Sequence, residues 1–354
     1  MEAVLPKAEL HAHLHGSIRD ATLVELLTAN GSSASLAAMR ILRETAHQRS
    51  LSDCFALFDS IHSVVTTREA VERIARETVS DFALDGVRYL ELRTTPRRDV
   101  MSAREYVDAI ERGVLRATPR CVVRLLLSIN RAQSVADAEA TVDLAIELHG
   151  AGTGRVVGVD LSGNPTLGEF ASFEPALRRA RAHGLNITVH CAEVVKPAEV
   201  RAIEAFAPDR LGHALHLPRD VLAKLLARDP GARIPIEICP TSNMHTLQLS
   251  SLDAHPTLAT WLRESYPIAI CTDDAGVFAT SPSDELRRVA DAFALSPHQL
   301  ARLAAAPFAQ VFADARTAPD VDAMLRDVAR AYTALGFAAC GASVLACAAQ
   351  RSAL

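Results

Sequence analysis

Short, almost continuously apolar runs alternate along this chain with longer segments in which Ala, Leu, Glu and Arg recur at helical spacing. Residues 8–13, 87–94, 121–129, 156–161, 186–191, 210–214, 234–239 and 268–272 predict eight strands. A strand that is apolar at nearly every position, rather than at alternate ones, has both faces covered. In the gaps, residues 68–83, 103–117, 134–148, 173–183, 197–206, 220–227 and 257–265 predict amphipathic helices, several ending near a Gly. This α/β alternation, counted eight times, predicts a (β/α)8 TIM barrel, whose chemistry gathers at the C-terminal ends of the strands. The alternative, a doubly wound open sheet, needs a Gly-rich phosphate turn after an early strand, and none is present.

The gap between the first two strands, residues 20 to about 67, is too long for a simple loop and predicts a helical insert capping the barrel mouth. Beyond the eighth strand, residues 284–293, 297–312 and 320–334 predict helices packed outside the barrel. The end, 335–354, is rich in Ala, Cys and Gly, carries no evident chemistry and reads as a docked or frayed tail. With no repeat, low-complexity block or linker, residues 1–354 are expected to form a single barrel domain.

Composition narrows the partners. A hydrophobic content of 49% is enough for a sizeable core. A net charge of -5, with 37 basic residues spread along the chain, argues against a nucleic-acid partner but leaves room for a basic pocket around one phosphate. No apolar run reaches the roughly 20 residues that span a bilayer, and the first residues lack the layout of a signal peptide. The seven cysteines show no tight paired spacing. Cys191, Cys239 and Cys271 lie in strand-like runs and read as reduced core thiols of a cytosolic protein, with metal binding as the sharper alternative.

The first strand carries Leu10-His11-Ala12-His13-Leu14-His15-Gly16-Ser17. Alternate strand residues share a face, so His11 and His13 can grip one metal ion, with His15 expected on the same face. Two imidazoles are too few for a catalytic zinc. His190-Cys191-Ala192-Glu193, Leu211-Gly212-His213 and Thr272-Asp273-Asp274 close the fifth, sixth and eighth strands, and a barrel brings all of them to the same mouth. Zinc held by His11, His13, His190 and Asp273 would lower the pKa of a bound water to about 7. His213 would orient that water and stabilise developing charge, and Glu193 would exchange a proton with the substrate. Asp274, adjacent to a ligand but pointing elsewhere, would accept from a substrate N–H. The constellation points to hydrolysis of a C–N or similar bond.

His-Ala-His-Leu-x-Gly-Ser, Gly158-Val159-Asp160-Leu161-Ser162-Gly163-Asn164-Pro165, His-Cys-x-Glu, Gly-His-Ala, Cys239-Pro240-Thr241-Ser242-Asn243 and Cys-Thr-Asp-Asp together resemble the adenosine/AMP deaminase group of metal hydrolases, in order, from about residue 5 to residue 312. Leu92-Arg93-Thr94-Thr95-Pro96-Arg97 and the run Val123 to Ile129 look most like the adenosine deaminase-like branch. That branch converts N6-methyl-AMP to IMP and methylamine. The resemblance implies one Zn2+ per chain on His11, His13, His190 and Asp273. It implies that Glu193 protonates purine N1 as hydroxide attacks C6, that His213 assists the water, and that Asp274 holds N7. Gly163 would offer its backbone N–H to the base, and His13 would line the substrate as well as the metal. His62, on the insert, would touch substrate, and Thr94, Thr95, Pro96 and Arg97 would take the 5′-phosphate, a task suited to hydroxyls and a guanidinium. His15 stands where the branch has Asn and nucleoside deaminases have Asp, and Asn130 stands where Asp is expected; both should face the ribose–phosphate end. A histidine at position 15 tolerates a phosphate that an aspartate would repel. Ala192 replaces the usual Gly. The expected partner is a small purine nucleotide acted on by a monomer. The alternatives are an adenosine deaminase using the unphosphorylated nucleoside, another metal-dependent amidohydrolase, and a catalytically silent purine-nucleotide-binding protein.

Overall fold

The eight apolar runs form eight parallel strands in a computed structural model that describes residues 5–31, 51–117, 120–151, 154–313 and 318–351. The strands are β1 (Lys7–His13), β2 (Val87–Thr94), β3 (Val122–Asn130), β4 (Val156–Ser162), β5 (Asn186–Cys191), β6 (Arg210–His213), β7 (Ile236–Ile238) and β8 (Ile268–Ile270). They pair in chain order, as a right-handed (β/α)8 TIM barrel requires. The backbone of Asp273 ties the last strand to the first: its N–H donates to the His11 carbonyl and its carbonyl accepts from the His13 N–H, both at 2.8 Å. Two prospective ligand-bearing segments are thereby fixed to each other through main chain.

Helices Arg68–Leu84, Ala103–Leu115, Val135–Ala151, Phe170–Ala182, Pro197–Phe206, Arg219–Ala227 and Leu258–Arg263 fill the gaps. The first two are capped by side chains: the Thr67 hydroxyl accepts from the Ala70 N–H, and Ser102 and Glu105 form a reciprocal capping box. Buried Ile74, Tyr106, Ile110, Val142 and Leu177 pack between helices and strands. The barrel interior is charged instead. Glu9, Glu91, Arg93, Asp160, Arg210 and Glu237 are all buried. Five of them are ion-paired: Arg93 reaches Glu237 at 2.9 Å and Asp160 at 3.4 Å, and Arg210 reaches Glu237 at 2.6 Å and also Glu91, while Glu9 accepts from the backbone N–H groups of His11 and Thr272.

The structure departs from the sequence reading at four places. β1 ends at His13, as expected, but Leu14 then turns into helical backbone and His15–Ser17 is a 3-10 turn. Only His11 and His13 therefore share a strand face, and His15 leaves it. Pro240–Leu247 is a helix, started by a proline whose missing N–H costs nothing in the first turn and disguised by Thr, Ser and Asn. The helix expected over 297–312 stops at Ala305 and gives way to the 3-10 turn Ala306–Ala309, which contains Pro307. The tail is a helix, Ala338–Arg351, packed on Ala318–Ala334; its alanines are the strongest helix formers. Within the insert, Asp20–Asn30 and Leu51–Val64 are helical, and the second packs on the His15–Ser17 turn at the barrel mouth. Residues 32–50 of the insert lie outside the described residues. Among the described residues no helix is long and apolar enough to cross a membrane.

Candidate active site

β1 and β5 deliver His11, His13 and His190, and the residue after Thr272 delivers Asp273. One ligand atom from each of the four lies within 4.8 Å of all the others. Asp273 Oδ1 is 3.3 Å from Nε2 of both His11 and His13, and His13 Nε2 is 3.3 Å from His190 Nε2. Donor atoms at about 2.0–2.2 Å from one tetrahedral ion stand roughly that far apart.

The protonation of the rings fits a cation as well. His11 Nδ1–H donates to Glu237 Oε2 at 2.6 Å, and His190 Nδ1–H donates to Asp160 Oδ1 at 3.0 Å. Each carboxylate fixes a tautomer and turns the Nε2 lone pair toward the shared centre, the usual support for a metal-bound histidine. His11 Nε2 is buried without a hydrogen-bond partner. Burial holds His190 down at about 4, leaving its lone pair free. Burial also opposes charge on His11, yet Asp273 and Glu237 lift it to about 9, so a bound cation would take the place of a proton. Burial resists ionisation of Asp273, but His11 and His13 beside it hold its carboxyl well below the usual range. A second grouping, His213, Cys239 and Asp273, also comes within ligand reach. Burial pushes the Cys239 thiol well up. Cys191 and Cys271 are likewise buried free thiols.

Beside this cluster, His213 Nε2 lies 3.8 Å from Glu193 Oε1 and 3.9 Å from Asp273 Oδ2. Burial, then repulsion from Asp273, lifts Glu193 to about 8, so at neutral pH it holds a proton to give. Burial keeps His213 neutral, its pKa well below the ordinary value. Asp274 is also pushed well up, by burial and by Asp273, and its Oδ1 is buried without a partner. The shift favours a protonated side chain, which would donate to a substrate atom. Gly16 makes room for it: a Cβ at position 16 would sit 1.7 Å from Asp274 Oδ1.

The remaining predicted contacts fall into two groups around the mouth. Gly163, with φ +94°, abuts Asn130, whose Oδ1 a Cβ at 163 would meet at 2.4 Å and which already accepts from the Ala132 N–H. His15 is buried, 5.0 Å ring to ring from His62, and its Nε2 lies 3.1 Å from the Tyr106 hydroxyl, which in turn bonds Thr94 Oγ1 at 2.6 Å. Burial, with His62 and Arg97 nearby, holds His15 well below its ordinary pKa, so it meets a ligand as a neutral ring. Arg97 follows Thr95 and Pro96 in the loop after β2, grips Asp99 at 2.8 and 2.6 Å, and donates to the His62 carbonyl. Sequence reasoning missed the roles of Asp160 and Glu237, which hold His190 and His11, and of Arg93, which pairs with both carboxylates. The signal was there: a carboxylate or guanidinium inside an otherwise apolar strand cannot be buried without a task or a partner.

Ala192, His213 and Asp273 all have left-handed backbone, with φ of 59°, 62° and 63°. Such strain in residues with a Cβ costs about 1–2 kcal/mol and concentrates at functional sites. Ala192→Gly relieves it while loosening the unfolded chain by about 0.4–1 kcal/mol. The variant should therefore match or exceed the parent's stability by up to about 1 kcal/mol in urea denaturation; a clear loss would show that the Ala192 methyl group matters more than its backbone.

A family profile described as adenosine deaminase matches residues 6–328. The chain is 41% identical over 342 residues to a protein of Arabidopsis thaliana named N6-mAMP deaminase, covering 88% of this chain and 93% of that one. It is 34% identical over 322 residues to the N6-Methyl-AMP deaminase of Homo sapiens, covering 88% and 90%. A crystal structure of Arabidopsis ADAL complexed with IMP superposes with a TM-score of 0.81 at 41% identity, covering 91% of this chain and 96% of that one.

Proposed function

This chain belongs to the adenosine deaminase family and is a deaminase, and from that premise we propose that it is a zinc-dependent hydrolytic deaminase of N6-substituted purine nucleotides, converting N6-methyl-AMP and water to IMP and methylamine. The observation that carries the reading is the convergence at one barrel mouth of four metal-type donors, with Glu193 and His213 beside them and Asp274 next along the chain. His11, His13, His190 and Asp273 would hold the ion, three nitrogens and one oxygen being a borderline set suited to zinc. Zinc there would supply hydroxide at neutral pH by lowering the pKa of a coordinated water to about 7.

The chain's own residues do the rest. Glu193 gives its proton to purine N1, which draws electron density from C6 and makes it the electrophile. Asp274 donates to N7, an acceptor in the nucleotide, and so orients the ring. Gly163 presents its backbone N–H to the base, where its lack of a Cβ keeps the approach open. His213 faces the oxygen being added at C6 and stabilises the charge that grows there. The proton of the added hydroxyl, taken up by the Glu193 carboxylate and passed to N6, lets methylamine leave, and the product carries the C6 oxygen of IMP.

The nucleotide preference rests on the second group at the mouth. His15, His62, Thr94, Thr95, Pro96 and Arg97 lie together, and a phosphate there would compete with Asp99 for the Arg97 fork. The Arabidopsis neighbour at 41% identity holds IMP. The test is turnover of N6-methyl-AMP, N6-methyladenosine, AMP, adenosine and adenine by the purified protein, followed as the shift to a hypoxanthine spectrum. N6-methyl-AMP should exceed N6-methyladenosine in kcat/KM by at least about a hundredfold, the value of a charge-assisted contact set near 3 kcal/mol. Preferential turnover of adenosine would move the protein to the nucleoside deaminases, and no turnover of any of the five would remove the deaminase assignment of this substrate class.

A further inference from the structure

Two side chains away from the reacting centre settle which nitrogen of His213 carries its proton. His255 stands between the 3-10 turn Leu252–Ala254 and the helix Leu258–Arg263. Its Nδ1 accepts from the backbone N–H groups of Thr257 at 3.3 Å and Leu258 at 3.1 Å. A backbone N–H can only donate, so Nδ1 of His255 carries no proton. Burial holds His255 neutral, at about 4. Its single proton is then on Nε2, which donates to Asn243 Oδ1 at 3.2 Å.

With its oxygen committed, Asn243 turns its amide N–H to His213 and donates to Nδ1 at 2.9 Å. His213 must keep that nitrogen bare and carry its proton on Nε2, the nitrogen that faces Glu193 and Asp273. All three side chains are buried, at 2%, 1% and 3% exposure for His213, Asn243 and His255. Water does not compete for any link of the chain.

We infer that Asn243 and His255 are positioning residues that lock His213 as an Nε2–H donor aimed into the site. Resting on the proposed reaction, this makes His213 a hydrogen-bond donor to the oxygen being added at C6, not the base that deprotonates it. Its inward nitrogen already holds a proton and its outward one is occupied. The direction is set by the two main-chain N–H groups at the start of a helix, which cannot reverse. Asn243 belongs to the Cys239-Pro240-Thr241-Ser242-Asn243 motif, so the relay gives that stretch a physical task.

The direct test is long-range 1H–15N NMR of the metal-loaded enzyme labelled with 15N-histidine, with the His213 signals assigned by their loss in His213→Phe. The wild type should show a pyridine-type Nδ1 and a pyrrole-type Nε2 at His213, whichever purine the enzyme uses. A pyrrole-type Nδ1 would overturn the relay while leaving the substrate assignment standing. Asn243→Asp, whose carboxylate can only accept, should place a proton on Nδ1; a persistently bare Nδ1 would also overturn it. Asn243→Leu removes the donor at nearly equal volume. It should lower kcat at least tenfold with KM within twofold and metal content unchanged, whereas an unaltered kcat would show that the lock does not serve the reaction.

Discussion

Glu193→Gln is expected to lose about two to four orders of magnitude in kcat while keeping its fold and its metal, the usual worth of a positioned general acid. Glutamine has the same shape and can still donate a hydrogen bond, but it has no proton to transfer to N1. Glu193 lies 3.8 Å from His213 and is not one of the four clustered donors, so metal content should stay at the wild-type level. The pH dependence has a definite sign. Burial and Asp273 raise Glu193 from 4.5 to about 8, so the proton-bearing form prevails below that value and is lost as pH rises through it. A neighbouring dication would pull the value down, which makes about 8 the ceiling of the limb. Wild-type kcat/KM should fall on the alkaline side of this limb, and the residual activity of Glu193→Gln should show no such limb. A variant with wild-type kcat would remove Glu193 from proton transfer.

The barrel was legible because burial on both faces leaves strands largely apolar, interrupted where a charged residue finds a partner inside the barrel. β2 and β5 match the runs at 87–94 and 186–191, and the helix Pro197–Phe206 matches its amphipathic segment. Once strand ends were located, their convergence followed from topology, which is how residues as distant as His11 and Asp273 could be grouped. Elements whose cause is not periodic were hidden. Pro240–Leu247 is a helix made of residues that prefer caps and turns, and His15 leaves the strand through a turn that alternation alone does not announce. The relay through Asn243 and His255 was beyond reach for a different reason. It depends on which atoms of two side chains meet across a fold, and on two backbone N–H groups that every helix start possesses. Asp160 and Glu237 lie between these extremes. Their charge inside apolar strands is visible in the sequence, but that they orient His190 and His11 is a fact of three-dimensional pairing.

Stripping the metal with a chelator should reduce turnover at least about a thousandfold, and zinc alone should restore it. Bulk water has a pKa of 15.7 against about 7 for water on zinc in a favourable site, so the metal-free barrel mouth has no comparable nucleophile to offer. The same loss can be approached from the protein side. Despite full burial, Arg93 and Arg210 hold Glu237 ionised, with its carboxyl well below the usual range, and Glu237 accepts the His11 Nδ1 proton. Glu237→Gln keeps the size but replaces the charge that makes His11 a better ligand. Partners of this kind are typically worth 10–100-fold in metal affinity, so the variant should need that much more free zinc for half-occupancy in a competition with a chromogenic chelator. Asp160→Asn, which disturbs His190 instead, is the companion variant should Glu237→Gln unfold through its two arginines. At saturating zinc both variants should recover most of their turnover, because the carboxylates act on the histidines and touch no substrate. Wild-type zinc affinity in both would dissociate the buried carboxylates from metal binding. Full activity in the chelator-stripped wild type would remove the ion from the reaction altogether.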